Sequence, residues 1–124
     1  RRVGLRYINI IEFEKTDIEI KDYFQYYPFI PGNMSQLHGP FLTRVEFPYE
    51  EGNENLILTL SSFTPKKPDI ISILLDIDYA MVVPEYISFE QISEWLDKAH
   101  ERVENAFESS ITNKAREIFK EVKL

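Results

Sequence analysis

The longest alternating run of the chain extends from Ile70 to Val83, and it constrains the fold most. Successive side chains of a β-strand point to opposite faces of the sheet, so a strand here separates its residues into two sets. The first set is apolar or aromatic: Ile73, Leu75, Ile77, Tyr79, Met81 and Val83. The second set includes Asp76 and Asp78, which point the same way about 7 Å apart. The run predicts a long strand with one apolar face and one partly charged face.

A second alternating run lies at the start of the chain, from Val3 to Phe13. Its odd positions are apolar except for Asn9, and its even positions are polar at the ends with Ile8 and Ile10 between them. We expect a strand whose middle is covered on both sides. Asn9 interrupts the apolar face, which predicts either a hydrogen-bonded buried amide or a β-bulge that shifts the register.

Two more strands precede the long one. Residues 41–47 and 56–63 both alternate, and the segment PYEEGNEN between them supplies Gly52 and Asn53. These residue types tolerate the positive φ of a tight hairpin turn. Strands joined by short polar turns most economically form antiparallel neighbours. Residues 41–83 therefore predict a three-strand antiparallel meander.

A short helix is predicted between the first two strands. It covers residues 18–27, with Thr16 or Asp17 as its cap and Pro28 at its end. Residues 28–40 contain three prolines and two glycines, and therefore predict a loop.

A longer helix follows the last strand. It begins at Ser88, and Gln91 is placed to complete a capping box. Apolar residues then recur every three or four positions, as on one face of a helix: Phe89, Ile92, Leu96, Ala99, Val103 and Phe107. Residues 109–113 include weak helix formers, so we expect a kink or restart there, with Thr112 as a second cap.

These elements follow the order β-α-β-β-β-α within a single domain over residues 1–124. We predict an α+β fold, in which an antiparallel sheet of about four strands has the long C-terminal helix packed across one face. A chain of 124 residues can bury its own core. Because it begins RRVGLRYINI without an initiator Met, we also expect it to be a fragment of a longer protein.

Composition narrows the range of functions. The chain has no cysteine and two histidines, so disulfides are excluded and an ordinary zinc site is not expected. Its net charge of −7 would repel a nucleic-acid backbone. No apolar stretch reaches the roughly 20 residues of a membrane span. We predict a cytoplasmic protein that needs no cofactor and binds neither nucleic acid nor membranes.

The charged face of the predicted sheet is the first candidate site. If the strand faces align, it contains five charged residues: Arg6, Arg44, Glu46, Asp76 and Asp78. Opposite charges on adjacent strands would pair across it. The alternative is a divalent-cation site at the three carboxylates, because hard cations take oxygen ligands, although the two arginines would compete with the cation. We predict the charge ladder and no metal site, with Asp76, Asp78 and Glu46 as weak metal candidates.

Aromatic residues form the second candidate, in the segment DYFQYYPF. Tyr23, Tyr26, Tyr27 and Phe29 lie close together there. Dense aromatic clusters commonly close one end of a core, whereas exposed tyrosines favour interfaces. The cluster predicts either core packing or an interaction patch.

Three segments, RVGLRYIN, LLDID and FESSIT, together resemble the C-terminal half of an uncharacterised protein family that is sporadically distributed in bacteria and archaea. The resemblance extends over nearly the whole chain. It implies a prokaryotic cytosolic setting and an N-terminal half that this sequence does not include, and it implies no activity. Four candidate residues belong to the recurring pattern: Arg6, Asn9, Asp76 and Asp78.

Two functions follow from these observations. The first is a non-enzymatic interaction or assembly domain that binds a protein partner, its own N-terminal half or a second copy as a homodimer. The alternative is a small-ligand-binding or divalent-metal-dependent enzyme domain that uses the carboxylates of the sheet face. A buried polar cluster without an arginine would favour the enzyme. Arginine–aspartate pairs across strands would favour the interaction domain.

Overall fold

The structure, a computed structural model, describes residues 2–14, 18–36, 39–49, 53–65, 67–83 and 88–122, with the backbone alone for 119–122. Its strands and helices are, in order, β1 (Arg2–Phe13), α1 (Ile20–Tyr23), β2 (Leu42–Tyr49), β3 (Glu54–Phe63), β4 (Ile71–Val82), α2 (Phe89–Ser110) and α3 (Asn113–Val122). The predicted α+β fold is confirmed. In the part of the chain that the structure describes, no helix is both long and apolar enough to span a membrane.

The four strands form one antiparallel sheet in the order β1-β4-β3-β2. The predicted meander of β2, β3 and β4 is confirmed, and β1 joins the free edge of β4. Phe13 lies opposite Ile71 and Leu42 lies opposite Ser61, so β1 ends and β2 begins at the same end of the sheet. The segment that contains α1 connects the two edge strands across that end. β4 is therefore an inner strand that is paired along both sides.

The core lies between one face of this sheet and the helices. Leu75, Ile77 and Tyr79 of β4 are fully buried on that face. On α2 the buried line has a spacing of four residues: Trp95, Ala99 and Val103. Fully burying a large apolar side chain stabilises a fold by about 1.5–3 kcal/mol, so this contact supplies much of the driving force for folding.

The apolar face predicted for α2 is correct at Ala99 and Val103 and wrong at Phe89, which is 86% exposed. Trp95, which was not included in that face, is 4% exposed. Residues four apart lie on one side of a helix, so Trp95 continues the buried line by one turn. Ile92 and Leu96 lie on the flanks of this line and are only partly buried.

The break between α2 and α3 falls at the predicted position. α2 ends at Ser110 and α3 begins at Asn113, and the Oγ1 of Thr112 accepts a hydrogen bond from the N–H of Ala115 at 3.3 Å. Thr112 therefore caps the second helix, as the sequence predicts.

The helix predicted over residues 18–27 is correct only from Ile20 to Tyr23, and Glu19 before it is extended. Phe24 is extended and forms a β-bridge with Ile111, and the N–H of Gln25 donates to the carbonyl of Ser110 at 2.7 Å. These backbone partners at the break between α2 and α3 replace the next helical turn. The predicted caps of this helix, residues 16 and 17, lie outside the described residues, as does residue 52 of the predicted hairpin turn.

One prediction for β1 needs correction, and one of the two alternatives for Asn9 is confirmed. Ile8 and Ile10 are 54% and 49% exposed, so the middle of the strand is covered on one side only. Asn9 forms no bulge, because β1 pairs with β4 in unbroken register from Arg2 to Phe13. The half-buried Asn9 amide faces the core side and donates to the Leu75 carbonyl at 3.4 Å.

The capping box of α2 supplies a first test. The Oγ of Ser88 accepts from the N–H of Gln91 at 3.2 Å, and the Oε1 of Gln91 accepts from the N–H of Ser88 at 3.0 Å. Ser88→Ala should lower the free energy of unfolding by about 1 kcal/mol, measured by urea denaturation. Ser109→Ala, in the exposed last turn of α2, is the control and should change it little. Equal losses in both variants would contradict the capping role.

Candidate functional site

The described helices cover one face of the sheet, and we call the opposite face the open face. It is formed by alternate residues of all four strands. Six charged residues on it form what we call the charged ladder: Arg2, Arg6, Arg44, Glu46, Asp76 and Asp78. Apolar residues beside the ladder form what we call the apolar band: Ile8, Ile10, Leu42 and Leu74.

The β1 side of the charged ladder consists of arginine–aspartate pairs. The Nε and Nη2 of Arg6 donate to the two carboxylate oxygens of Asp76 at 3.0 and 2.6 Å, a bidentate geometry. The Nη2 of Arg2 donates to both oxygens of Asp78 at 3.3 Å. The hydrogen bond to Asp76 and its charge raise the pKa of Arg6 above its ordinary value. Both aspartates are therefore held by guanidinium groups, and Arg2 is the member that the sequence analysis missed.

The β2 side of the charged ladder differs from the prediction. Arg44 and Glu46 pair with each other along β2, at 2.8 Å, and not across the sheet. Their neighbours on β3 are Thr59 and Ile57, which carry no charge. Both partners are about half exposed, so the pair is free to exchange one partner for another at low cost.

The weak metal candidates do not form a binding group. Glu46 lies on β2 and the two aspartates lie on β4, with Ile57 of β3 between Glu46 and Asp78. Among the described residues, no group of three or more His, Asp or Glu side chains could hold a metal ion. Asp76 and Asp78 already have arginine partners.

The apolar band crosses the sheet next to the charged ladder. The register places Ile10, Leu74 and Leu42 in one row, with Ser61 between the last two. Leu42 is 68% exposed, and Ile8 and Ile10 are about half exposed. Exposed apolar side chains grouped on one face are a typical mark of an interaction surface.

At the other end of the open face lies a depression of about 550 Å³ between Arg2 and Glu46. Ala80 is one of its lining residues. A Cβ atom on Gly4 would lie 3.3 Å from the guanidinium of Arg2 and 3.8 Å from the Cβ of Ala80. A side chain at position 4 would therefore make the Arg2 guanidinium shift by a few tenths of an ångström.

On the core side, Glu54 forms a buried polar cluster that the sequence analysis did not find. The carboxylate is 2% exposed, and its Oε1 accepts from the hydroxyl of Tyr79 and from the indole of Trp95, both at 2.7 Å. Its Oε2 accepts from Lys98 at 3.0 Å and lies 3.7 Å from Arg102. The one sequence signal for the cluster was a spacing of three and then four residues, which places Trp95, Lys98 and Arg102 on one side of a helix.

The protonation states of this cluster are set by burial and hydrogen bonding. Burial raises the pKa of Glu54, but hydrogen bonds from Tyr79, Lys98 and Trp95 outweigh it, so the pKa lies below its ordinary value. Burial, and then the hydrogen bond to Glu54, raise the pKa of Tyr79. Glu54 is therefore ionised and Tyr79 is protonated at neutral pH, which leaves neither poised for proton transfer.

Arg102 connects the Glu54 cluster to an aromatic stack. It donates to the hydroxyl of Tyr79, and its guanidinium carbon lies 4.3 Å from the ring centroid of Tyr49. Tyr49 stacks on Tyr79 with centroids 5.9 Å apart. This arrangement anchors the ends of β2, β3 and β4 to α2, so we assign the cluster a structural role.

The four aromatic candidates do not form one exposed patch. Tyr23 is buried in the core, and Tyr26 and Tyr27 pack against it. The Tyr26 hydroxyl donates to the Leu58 carbonyl at 3.2 Å. Phe29 is 79% exposed. Core packing therefore accounts for three of them, and the interaction patch predicted from all four is wrong.

Comparison with known proteins adds no assignment. No family model matches the chain, and the searches of curated proteins and of solved structures give no match. The resemblance to an uncharacterised family therefore stays a prediction.

The Glu54 cluster supplies a second test. Glu54→Gln should lower the free energy of unfolding at pH 7 by about 2–3 kcal/mol, because it leaves the partly buried cations Lys98 and Arg102 without this carboxylate. Asp76→Asn is the control and should change it much less, because Arg6 can return to water. Thermal and urea denaturation measure both.

Glu54→Gln should also change how the stability of the chain depends on pH. The pKa of Glu54 is lower in the folded than in the unfolded chain, so as the pH falls below the ordinary value of 4.5 the unfolded chain binds the proton first. The stability from this group is present above that pH and is lost as the pH falls. Glu54→Gln should remove this part of the acid destabilisation. A variant with unchanged acid dependence would contradict the assigned charge.

Proposed function

We propose that this chain is a non-enzymatic interaction domain that binds another polypeptide across its open face. The observation that carries the proposal is the apolar band, since Ile8, Ile10 and Leu42 are each about half exposed or more on a face that no described helix covers. A partner that covers them would gain roughly 25 cal/mol for each Å² of apolar surface removed from water.

The charged ladder supports the same proposal. Arg6–Asp76 and Arg2–Asp78 are arginine–aspartate pairs across strands, which the sequence analysis took as the mark of an interaction domain. Paired charges beside an apolar strip supply the polar rim and the register of an interface. Metal-dependent catalysis at Asp76 and Asp78 has no comparable support, because both carboxylates already bind guanidinium groups.

Small-ligand binding is the second candidate, and a separate apolar pocket favours it. The pocket has a volume of about 350 Å³ and lies between the α1 region and the ends of β3 and β4. Ile20, Phe41, Phe63 and Ile73 are among its lining residues. Pockets of this size and apolar character commonly bind small molecules.

Thermal denaturation with and without small apolar compounds tests this second candidate. A compound at about a hundred times its dissociation constant should stabilise the chain by roughly 2.7 kcal/mol and raise the midpoint by several degrees. Ile70→Trp, which fills the pocket, is the control and should abolish the shift. An equal shift in this variant would mean that the compound binds elsewhere.

Site-specific photo-crosslinking in cells tests the leading proposal. A photoreactive residue at Ile10 should give one adduct of defined mass, because this position faces the partner. The same probe at Glu94, on the exposed side of α2, should not give that adduct. Adding Leu42→Asp to the Ile10 probe should abolish it without lowering the melting temperature. Loss of stability in that variant, or equal adducts at Glu94, would contradict a binding role for the open face.

A further inference from the structure

Two rows of the open face carry complementary residues at their opposite ends. One row across the sheet has Arg6 on β1 at one end and Glu46 on β2 at the other. A parallel row has Ile10 on β1 and Leu42 on β2 at its two ends. In these two rows the residues on the two edge strands match, by opposite charge in the first row and by apolarity in the second. The row between them has Ile8 on β1 and Arg44 on β2.

We propose that a second copy of this chain occupies the open face, around a two-fold axis parallel to the strands. The inference rests on the proposed function and names its partner. Rotation about this axis keeps each row in place and exchanges the sheet edges, so β1 lies over β2 of the second copy. Arg6 then faces Glu46 of the second copy, and Ile10 faces Leu42 of the second copy. Each contact occurs twice, as in any isologous dimer.

The depression on the open face fits the same arrangement. Arg2 precedes Arg6 on the same face of β1, so the rotation places it over the β2 side of the second copy. That side contains the depression next to Glu46. Arg6 of one copy therefore approaches Glu46 of the other, and Arg44 can release Glu46 because their pair is solvent-exposed.

Other two-fold arrangements are less favourable. An axis in the interface but perpendicular to the strands would stack β4 on β4 of the second copy. Asp76 and Asp78 would then lie against the same aspartates of the second copy, and like charges that face each other are destabilising. The charge pattern therefore selects the axis parallel to the strands.

Net charge also favours this surface for self-association. The chain carries −7, so two copies repel each other on average. The exposed side of α2 is strongly acidic, with Glu90, Glu94, Asp97, Glu101, Glu104 and Glu108. The charged ladder instead balances three arginines against three carboxylates. Two copies can approach through the open face without the repulsion that α2 would cause.

The open face is large enough for such a contact. Four strands about 4.8 Å apart, each eight residues long, measure on the order of 19 Å by 27 Å. Side-chain relief makes the accessible area larger than this outline, which brings it near the roughly 800 Å² per partner of a standard interface. Face-to-face sheets pack about 10 Å apart, a distance that arginine and glutamate side chains span together.

Two charge-reversal variants test the inference, with the molecular mass of each measured by light scattering and sedimentation. The wild-type chain should show twice its monomer mass of 14.7 kDa at high concentration. Arg6→Glu alone and Glu46→Arg alone should each be monomers, because each variant sets like charges against one another in both contacts. An equimolar mixture of the two should recover the dimer, with one chain of each kind. Glu94→Arg, on α2, is the matched control and should remain dimeric.

The outcomes separate this inference from the proposed function. A monomeric wild-type chain, or a mixture that stays monomeric, overturns the two-fold dimer. If Arg6→Glu fails to fold, Leu42→Asp replaces it, and a dimer that persists in that variant also overturns the inference. A crosslinked adduct at Ile10 with the mass of a different polypeptide overturns the inference and supports the proposed function alone. Absence of every adduct together with a monomer overturns both.

Discussion

The pairing of β4 with both β1 and β3 organises the whole fold. The backbone groups of β4 are paired along both sides, so every β4 side chain must point to one of two faces. Leu75, Ile77 and Tyr79 point to the helices and are fully buried, whereas Asp76 and Asp78 point to the open face. A shift of one residue would bury both aspartates and expose the leucine and isoleucine, which keeps the register unique.

The two faces of the sheet hold their charges in different ways. On the core side, Glu54 is nearly inaccessible and has four polar neighbours, so its charge is tied to the fold and to α2. On the open face, Arg44 and Glu46 are both about half exposed, so their pair costs little to rearrange, whereas the Asp76 carboxylate that binds Arg6 is 13% exposed. Buried pairs make stability sensitive to single changes, whereas exposed pairs remain available to a partner. This contrast places the candidate interaction surface on the open face.

Elements that have a local signal could be predicted from the sequence. Alternation from Ile70 to Val83 indicated β4 and its two faces, and the Ser88–Gln91 pair indicated the start of α2. The break at 109–113 followed from residue type in the same way. Local patterns misled at Ile8 and Ile10, because an apolar residue in a strand carries no information on whether a second layer covers it. The helix ends at Tyr23 because the backbone that follows pairs with the break between α2 and α3.

Contacts between residues far apart in the sequence emerge only in the folded chain. The pairing of β1 with β4 brings Arg6 to Asp76 and Arg2 to Asp78, and no local pattern encodes the approach of strands about seventy residues apart. The Glu54 cluster likewise draws on β3, β4 and α2, whose residues have ordinary surface or core identities when taken singly. Hydrophobic periodicity determines the face on which a side chain lies. The partner across that face depends on strand order, which is a property of the whole packed chain.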